Sequence, residues 1–209
     1  MNPFHYLHLP DEEVDIRGSQ IAMYVCHDSR TDATTVICFN FMDGRWPGII
    51  EEPQIRMSEA LKHPNVPPDP ISMHLVCFTT VMRWWNHALH SVNEQLIAYE
   101  KRLQEDIKDG SVTNAFYNEI SKALHAMAAH VHRYGTELDS LKDTSSELAR
   151  VLATDAHDSA SLMGIEQVKS QLKATNAFVR EQEKKIQNIL ALVRRYFLYG
   201  VPIHYSPPQ

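Results

Sequence analysis

Between Pro70 and Pro202 the chain contains no proline, and its apolar residues there recur in alternating steps of three and four. Long helices with a continuous apolar seam satisfy that pattern. A strand would repeat every two residues, and an interior proline would break the helical hydrogen-bond ladder. Three registers follow one another. The first runs Leu75, Phe78, Met82, Trp85, Leu89, Val92, Leu96, Tyr99, Leu103. The second runs Ile120, Leu124, Met127, Val131, Tyr134, Leu138, Leu141, Ser145, Leu148, Leu152, and the third Ile165, Val168, Leu172, Thr175, Val179, Gln182, Ile186, Ile189, Val193, Tyr196. Thr175 and Gln182 hold seam positions, where a polar side chain fixes register more than it adds stability. Asp109-Gly110 ends the first helix, with Ser111 or Thr113 able to cap the second, and TDAHDSAS at 154–161 reads as the next turn. At 1.5 Å per residue each helix spans roughly 55 to 65 Å, and the short connectors make neighbours antiparallel.

The first third of the chain is different in kind. Eight of the eleven prolines lie at or before Pro70, and HPNVPPDP at 63–70 reads as a stiff connector. QIAMYVCHD (20–28) and TTVICFNF (34–41) are β-branched and aromatic runs joined by SRTDA, the makings of an antiparallel hairpin. Asp11–Asp15 reads as loop, Asp43–Pro47 as a turn and Gln54–Lys62 as a short helix. Two strands alone are marginal in water, so this unit must lean on something larger. The expectation is an α+β, mainly α protein with a small mixed unit over residues 1–70 and a bundle of three long heptad-patterned helices over 71–209.

Charge follows the same division. Residues 1–70 carry 5 basic and 11 acidic side chains and residues 71–209 carry 15 of each, so the net charge of −6 arises wholly in the first third. A protein that grips nucleic acid through phosphate neutralisation needs the opposite balance. Three widely spaced cysteines, Cys26, Cys38 and Cys77, form no disulfide scaffold and no CxxC pair, which suits a reducing cytoplasm. The start has neither the basic nor the apolar region of a secretory signal, and no run of about 18 apolar residues occurs without a charge.

MRWWNHALHSVNEQL, residues 82–96, holds the densest group of chemistry-bearing side chains. Trp85 belongs to the first seam. Trp84 joins Val76, Cys77 and Thr80 in a second apolar strip on the opposite side of the same helix, so this helix is expected to be sandwiched there, with Trp84 against the β unit. His87, His90 and Glu94 share the outer face and could offer three ligands to zinc or a similar cation. With 12 histidines in the chain, however, such spacings arise by chance, and the simpler reading is solvent-facing side chains. His125, His130 and His132 form another cluster that a helix divides between its sides. Cys77 and His74 stand three apart, yet no oxyanion donors accompany them, and no P-loop, GxGxxG, GxSxG or HExxH sequence occurs. No enzyme is implied. RRYFLYGVPIHY at 194–205 joins a basic pair to Tyr196 and Phe197, a mixture suited to a bundle end or a bilayer interface. Together with Trp84, and with Phe178 among apolar positions left over from the seams, Tyr196 and Phe197 mark an expected interaction surface.

Taken in order, IAMYVCHDSRTDATTVICFNF, then HPNVPPDPISMHLVCFTTVMRWWNHALHSVNEQLIAYEKRL, then a long charged heptad helix, the layout resembles the soluble cytoplasmic part of CorA-type magnesium transporters, in particular divergent CorA-like proteins of filamentous fungi. The resemblance spans about residues 19–198. It implies a small α/β unit followed by long helices, and a regulatory or assembly role in magnesium transport. The family's pore-lining helix and Gly-Met-Asn signature have no counterpart in these residues, so the expectation is a domain unable to conduct ions by itself. It would be cytoplasmic, and membrane-attached only if a transmembrane region follows. No cofactor is implied beyond weakly bound magnesium. The family's regulatory carboxylates have no matching motif here; weak binding of such an ion would need clustered oxygens, and Asp11, Glu12, Glu13 and Asp15 are merely the densest acidic run. Self-association or another helical protein is the expected partnership. The alternative is a helical coiled-coil scaffold for protein–protein interaction, unrelated to ions.

Overall fold

The computed structural model describes residues 6–18, 21–28, 30–31, 33–40, 55–56, 58–59, 62, 70–109, 114–154 and 159–199. Four strands precede three long helices: β1 (Tyr6–Leu9), β2 (Val14–Arg17), β3 (Ile21–Asp28), β4 (Ala33–Asn40), α1 (Pro70–Asp109), α2 (Asn114–Thr154) and α3 (Ser159–Tyr199). The protein is mainly helical, with two small antiparallel sheets, β1-β2 and β3-β4. The expected turn at Asp43–Pro47, the connector at 63–69, the caps at Ser111 and Thr113 and the turn residues 155–158 lie outside the described residues.

The heptad registers are buried along much of each helix, with Leu75, Trp85, Leu141, Leu148 and Tyr196 half-buried. Phe78, Met82, Leu89, Val92, Leu96, Tyr99 and Leu103 of the first register are buried, as are Ile120, Leu124, Met127, Val131, Tyr134, Leu138 and Ser145 of the second. In the third, every member from Ile165 to Val193 is buried, including Thr175 and Gln182. Apolar area leaves water at roughly 25 cal/mol per Å², so these stripes drive the helices together. Among the buried side chains that lie off the seams are Met73, Thr80, Gln95 and His130.

The chain forms two compact units. One comprises Met1–Ile16, Ala88–Thr136 and Ala177–Gln209; the other comprises Arg17–His87 and Glu137–Asn176. In the first, Asn93 meets Gln182 and Glu100 meets Lys185, both numbers rising together, so α1 and α3 run parallel. His132 meets Glu183 while Gly135 faces Val179, so α2 runs against α3. In the second unit, Asn86 meets Thr175 and Leu75 faces Gly164, again a parallel pairing of α1 with α3. Short connectors forcing a down, up, down path account for these directions. Gly164 permits the approach: a Cβ there would stand 2.7 Å from Leu75 Cδ1.

β3 and β4 pair from Ile21↔Asn40 to Asp28↔Ala33, within one residue of the limits read from the sequence. Arg30 N donates to Asp28 Oδ1 at 3.0 Å and Thr31 N donates to the Asp28 carbonyl at 3.2 Å, closing the turn. Met23, Val25, Thr34 and Val36 form the half-buried face, while Ala22, Tyr24, Cys26, Thr35 and Ile37 face water. That alternation is what a sheet covered on one side produces.

One segment departs from expectation. Asp11–Asp15 is not all loop, since Val14–Arg17 is a strand paired with Tyr6–Leu9. YLHL alternates, with Leu7 and Leu9 buried and Tyr6 and His8 exposed. Glu13 N donates to the Pro10 carbonyl at 3.4 Å, and Glu13 has φ 51°, a left-handed turn conformation uncommon outside glycine. Of the expected helix at 54–62, Ile55, Arg56, Ser58 and Glu59 are helical.

Candidate functional site

Helix α1 carries the residues singled out in the sequence, and its first half has two working faces. Met73, Cys77, Thr80 and Trp84 step by three and four along one side. Met73 and Thr80 are buried, Cys77 and Trp84 half-buried. The Cys77 thiol donates to Met23 Sδ of β3 at 3.3 Å, and Arg56 Nη1 donates to Thr80 Oγ1 at 3.0 Å. Thr80 Oγ1 in turn donates to the Val76 carbonyl at 2.8 Å. Of the strip read from the sequence as Val76, Cys77, Thr80 and Trp84, Cys77 therefore meets β3, and the half-buried cysteine packs there. Trp84 itself stands edge-on to His87, ring centroids 6.4 Å apart.

His87, His90 and Glu94 do not converge. His90 Nδ1 lies 4.0 Å from Glu94 Oε1 with the His90 side chain 73% exposed, and His87 sits against Trp84. Among the described residues no three His, Cys, Asp or Glu side chains are grouped so as to hold a metal ion. The second histidine cluster divides as its spacing requires. His130 is buried with its ring 6.0 Å from that of Tyr134, while His132 points outward to Glu183 on α3, Nδ1 to Oε1 3.5 Å.

The acidic run is largely engaged elsewhere. Asp11 N donates to Gln95 Oε1 at 2.9 Å, Gln95 Nε2 donates back to Asp11 Oδ2, and Arg102 Nη1 reaches Asp11 Oδ1 at 3.4 Å. Gln95 is fully buried, so the hairpin turn satisfies both polar atoms of an amide that α1 takes out of water. Asp15 accepts from Tyr6 Oη at 2.8 Å and pairs with His8 Nδ1 at 2.9 Å. Arg102 also lies over the Phe116 ring at 5.5 Å, joining α1 to α2. Burial raises the Tyr99 phenol above its ordinary value, with the Asp11 and Glu119 carboxylates adding to the rise and Arg102 opposing it. Burial likewise raises Tyr117, with Tyr196 and Asp106 adding to it. The clamp of Asp11 on Gln95 was hidden in the sequence because its partners are 84 positions apart.

The expected interaction residues are only partly uncovered. Phe178, Tyr196 and Trp84 are half-buried, and the Phe197 side chain lies outside the described residues. Exposed large apolar side chains occur elsewhere: Tyr24 (56%) directly opposite Ile37 (43%) on the outer face of the β3-β4 hairpin, and Val151 (46%) and Met163 (68%) on α2 and α3.

The fold thus defines a mainly helical α+β domain whose three helices pack against each other, and in its described residues no helix is long and apolar enough to cross a membrane. No protein-family model, curated protein or solved structure matches the chain.

Proposed function

We propose that this chain is a non-catalytic helical domain akin to the soluble part of CorA-type magnesium transporters, serving assembly or regulation and not ion conduction. The observation that carries the reading is the order of elements: short antiparallel strands, then three helices of 40, 41 and 41 residues with α1 and α3 parallel. The sequence resemblance rests on part of that order, a strand pair and connector followed by a tryptophan-bearing helix and a long last helix. Weakly bound magnesium would draw on carboxylates left over from the Asp11 and Asp15 contacts, namely the exposed Glu12 and Glu13. Native mass spectrometry and thermal melts with zero to 20 mM magnesium test it, since a ligand that binds only the folded state raises the midpoint by mass action. A homopentamer, or a midpoint that climbs with magnesium and not with equal ionic strength of sodium, is expected. A monomer indifferent to magnesium would overturn the reading.

A second reading is a protein-interaction scaffold with no ion involved. Exposed Val151 and Met163 favour it. Under that reading Phe178→Asp reduces recovery of a helical partner in pull-downs; undiminished recovery removes the Phe178 strip from consideration.

A further inference from the structure

The helical seams contain three buried polar side chains whose roles differ. Ser145 is satisfied within its own helix, donating to the Lys142 carbonyl at 2.8 Å. Thr175 and Gln182 instead reach α1. In one unit Thr175 Oγ1 donates to Asn86 Oδ1 at 3.3 Å, and in the other Gln182 Nε2 donates to Asn93 Oδ1 at 3.2 Å. Both pairs are 89 residues apart, and each rung lies one heptad from the other on both helices.

The Gln182 rung is not an efficient source of stability. Gln182 is 2% exposed, and its buried Oε1 has no hydrogen-bond partner among the described residues. Turning the Gln182 amide over alone would set its Oε1 against Asn93 Oδ1, and turning both amides over would leave Gln182 Nε2 unmet in place of Oε1. A buried polar atom without a partner loses its hydration for nothing, so a leucine of similar size would serve a purely apolar seam better. The seams have a need that the rungs meet. Because apolar residues recur every seven positions on both α1 and α3, sliding one helix by a heptad still sets apolar against apolar. Sliding in one direction sets Asn93 against Ile189, and in the other it sets Asn86 against Val168. In the first slip Asn86 meets Gln182 but Thr175 falls opposite Thr79, and in the second Asn93 meets Thr175 but Gln182 falls opposite Glu100, so each slip keeps one amide rung where the observed alignment has two.

We propose that Asn93–Gln182 and Asn86–Thr175 form a register lock: two polar rungs that select the parallel α1–α3 alignment over alignments slipped by one heptad, at a cost in stability. Gln182 is the stronger element, being the more deeply buried. The inference is independent of any relation to magnesium transport.

The test uses the full chain carrying Asn93→Leu with Gln182→Leu, followed by thermal melting and by the indole region of an amide NMR spectrum, where the three tryptophans give three peaks in a single alignment. Expected are a midpoint raised by several degrees and additional indole peaks from a second alignment. A raised midpoint with three peaks would show that the apolar seams choose the register unaided, and a lowered midpoint or loss of folding would show that the rung stabilises; either overturns the proposal. The exchanged pair, Asn93→Gln with Gln182→Asn, keeps a polar rung and is expected to retain three peaks, so extra peaks there overturn it as well.

Discussion

Asp11→Ala isolates the contact between the β1-β2 turn and α1. The Asp11 carboxylate accepts from the amide of Gln95, which is fully buried, and also from Arg102, whose side chain is 41% exposed. Removing the carboxylate strands the Gln95 N–H group away from water. A charge-assisted hydrogen bond to a buried donor contributes about 1.5–3 kcal/mol, because the donor cannot recover a water in its place. The Arg102 pair is half-exposed and screened, adding at most about 0.5 kcal/mol. Asp11 N still meets Gln95 Oε1 in the variant, since that bond is made by the backbone. The expected loss is therefore about 2–3 kcal/mol, read as a lower urea midpoint with an unchanged slope. In a Gln95→Leu background no stranded amide exists, and the same substitution should cost less than about 1 kcal/mol, a coupling that a double-mutant cycle measures directly. A loss below about 0.5 kcal/mol, or an equal loss in both backgrounds, would refute the claim that the turn satisfies a buried group.

Two further outcomes follow from the same geometry. The folded state raises the Tyr99 phenol pKa, chiefly through burial, so it favours the neutral form; the stability from that preference is complete below the unfolded value near 10 and disappears as pH rises through the folded value. Tyr99→Phe should thus shrink the fall in urea midpoint between pH 8 and pH 11, leaving the part due to Tyr117, and an equal fall in both proteins would contradict the burial argument. Gly164→Ala should lie within about 1 kcal/mol of the parent, since the flexible end of Leu75 can yield and alanine gains about 1 kcal/mol of helix propensity, whereas Gly164→Val should cost about 1–3 kcal/mol by overfilling the contact. Valine without penalty in thermal melts would show that the close α1–α3 approach is not needed.

The helices were legible because burial follows a single repeating pattern along about 40 residues each, and isolated errors cannot shift such a pattern. Thr175 and Gln182 were legible as seam residues, but their partners Asn86 and Asn93 were not, because both lie beside the seam and meet α3 only through the helix alignment. β3 and β4 were readable from eight-residue runs of β-branched and aromatic side chains. β1 and β2 escaped notice because four residues give alternation too little length to stand out, and the acidic residues between them read as a loop. Gln95 was hidden for a similar reason: a polar residue next to Leu96 looks solvated until a distant aspartate is folded onto it. The outer-face histidines show how weak spacing alone is. His87, His90 and Glu94 share a side of α1, yet among the described residues they are not gathered into a ligand set.

The parallel alignment of α1 with α3 underlies both the fold and the register lock, and disulfide trapping tests it most directly. Asn86→Cys with Thr175→Cys replaces two side chains whose oxygens are 3.3 Å apart, close enough for a bridge that requires nearby Cα atoms. Asn86→Cys with Val168→Cys reports an alignment slipped by one heptad. Under mild oxidation of the folded protein, with linkages mapped by tryptic peptides to separate them from the three native cysteines, the first pair is expected to close rapidly and the second to stay reduced. Closure of the second pair in place of the first would contradict the alignment on which the account stands.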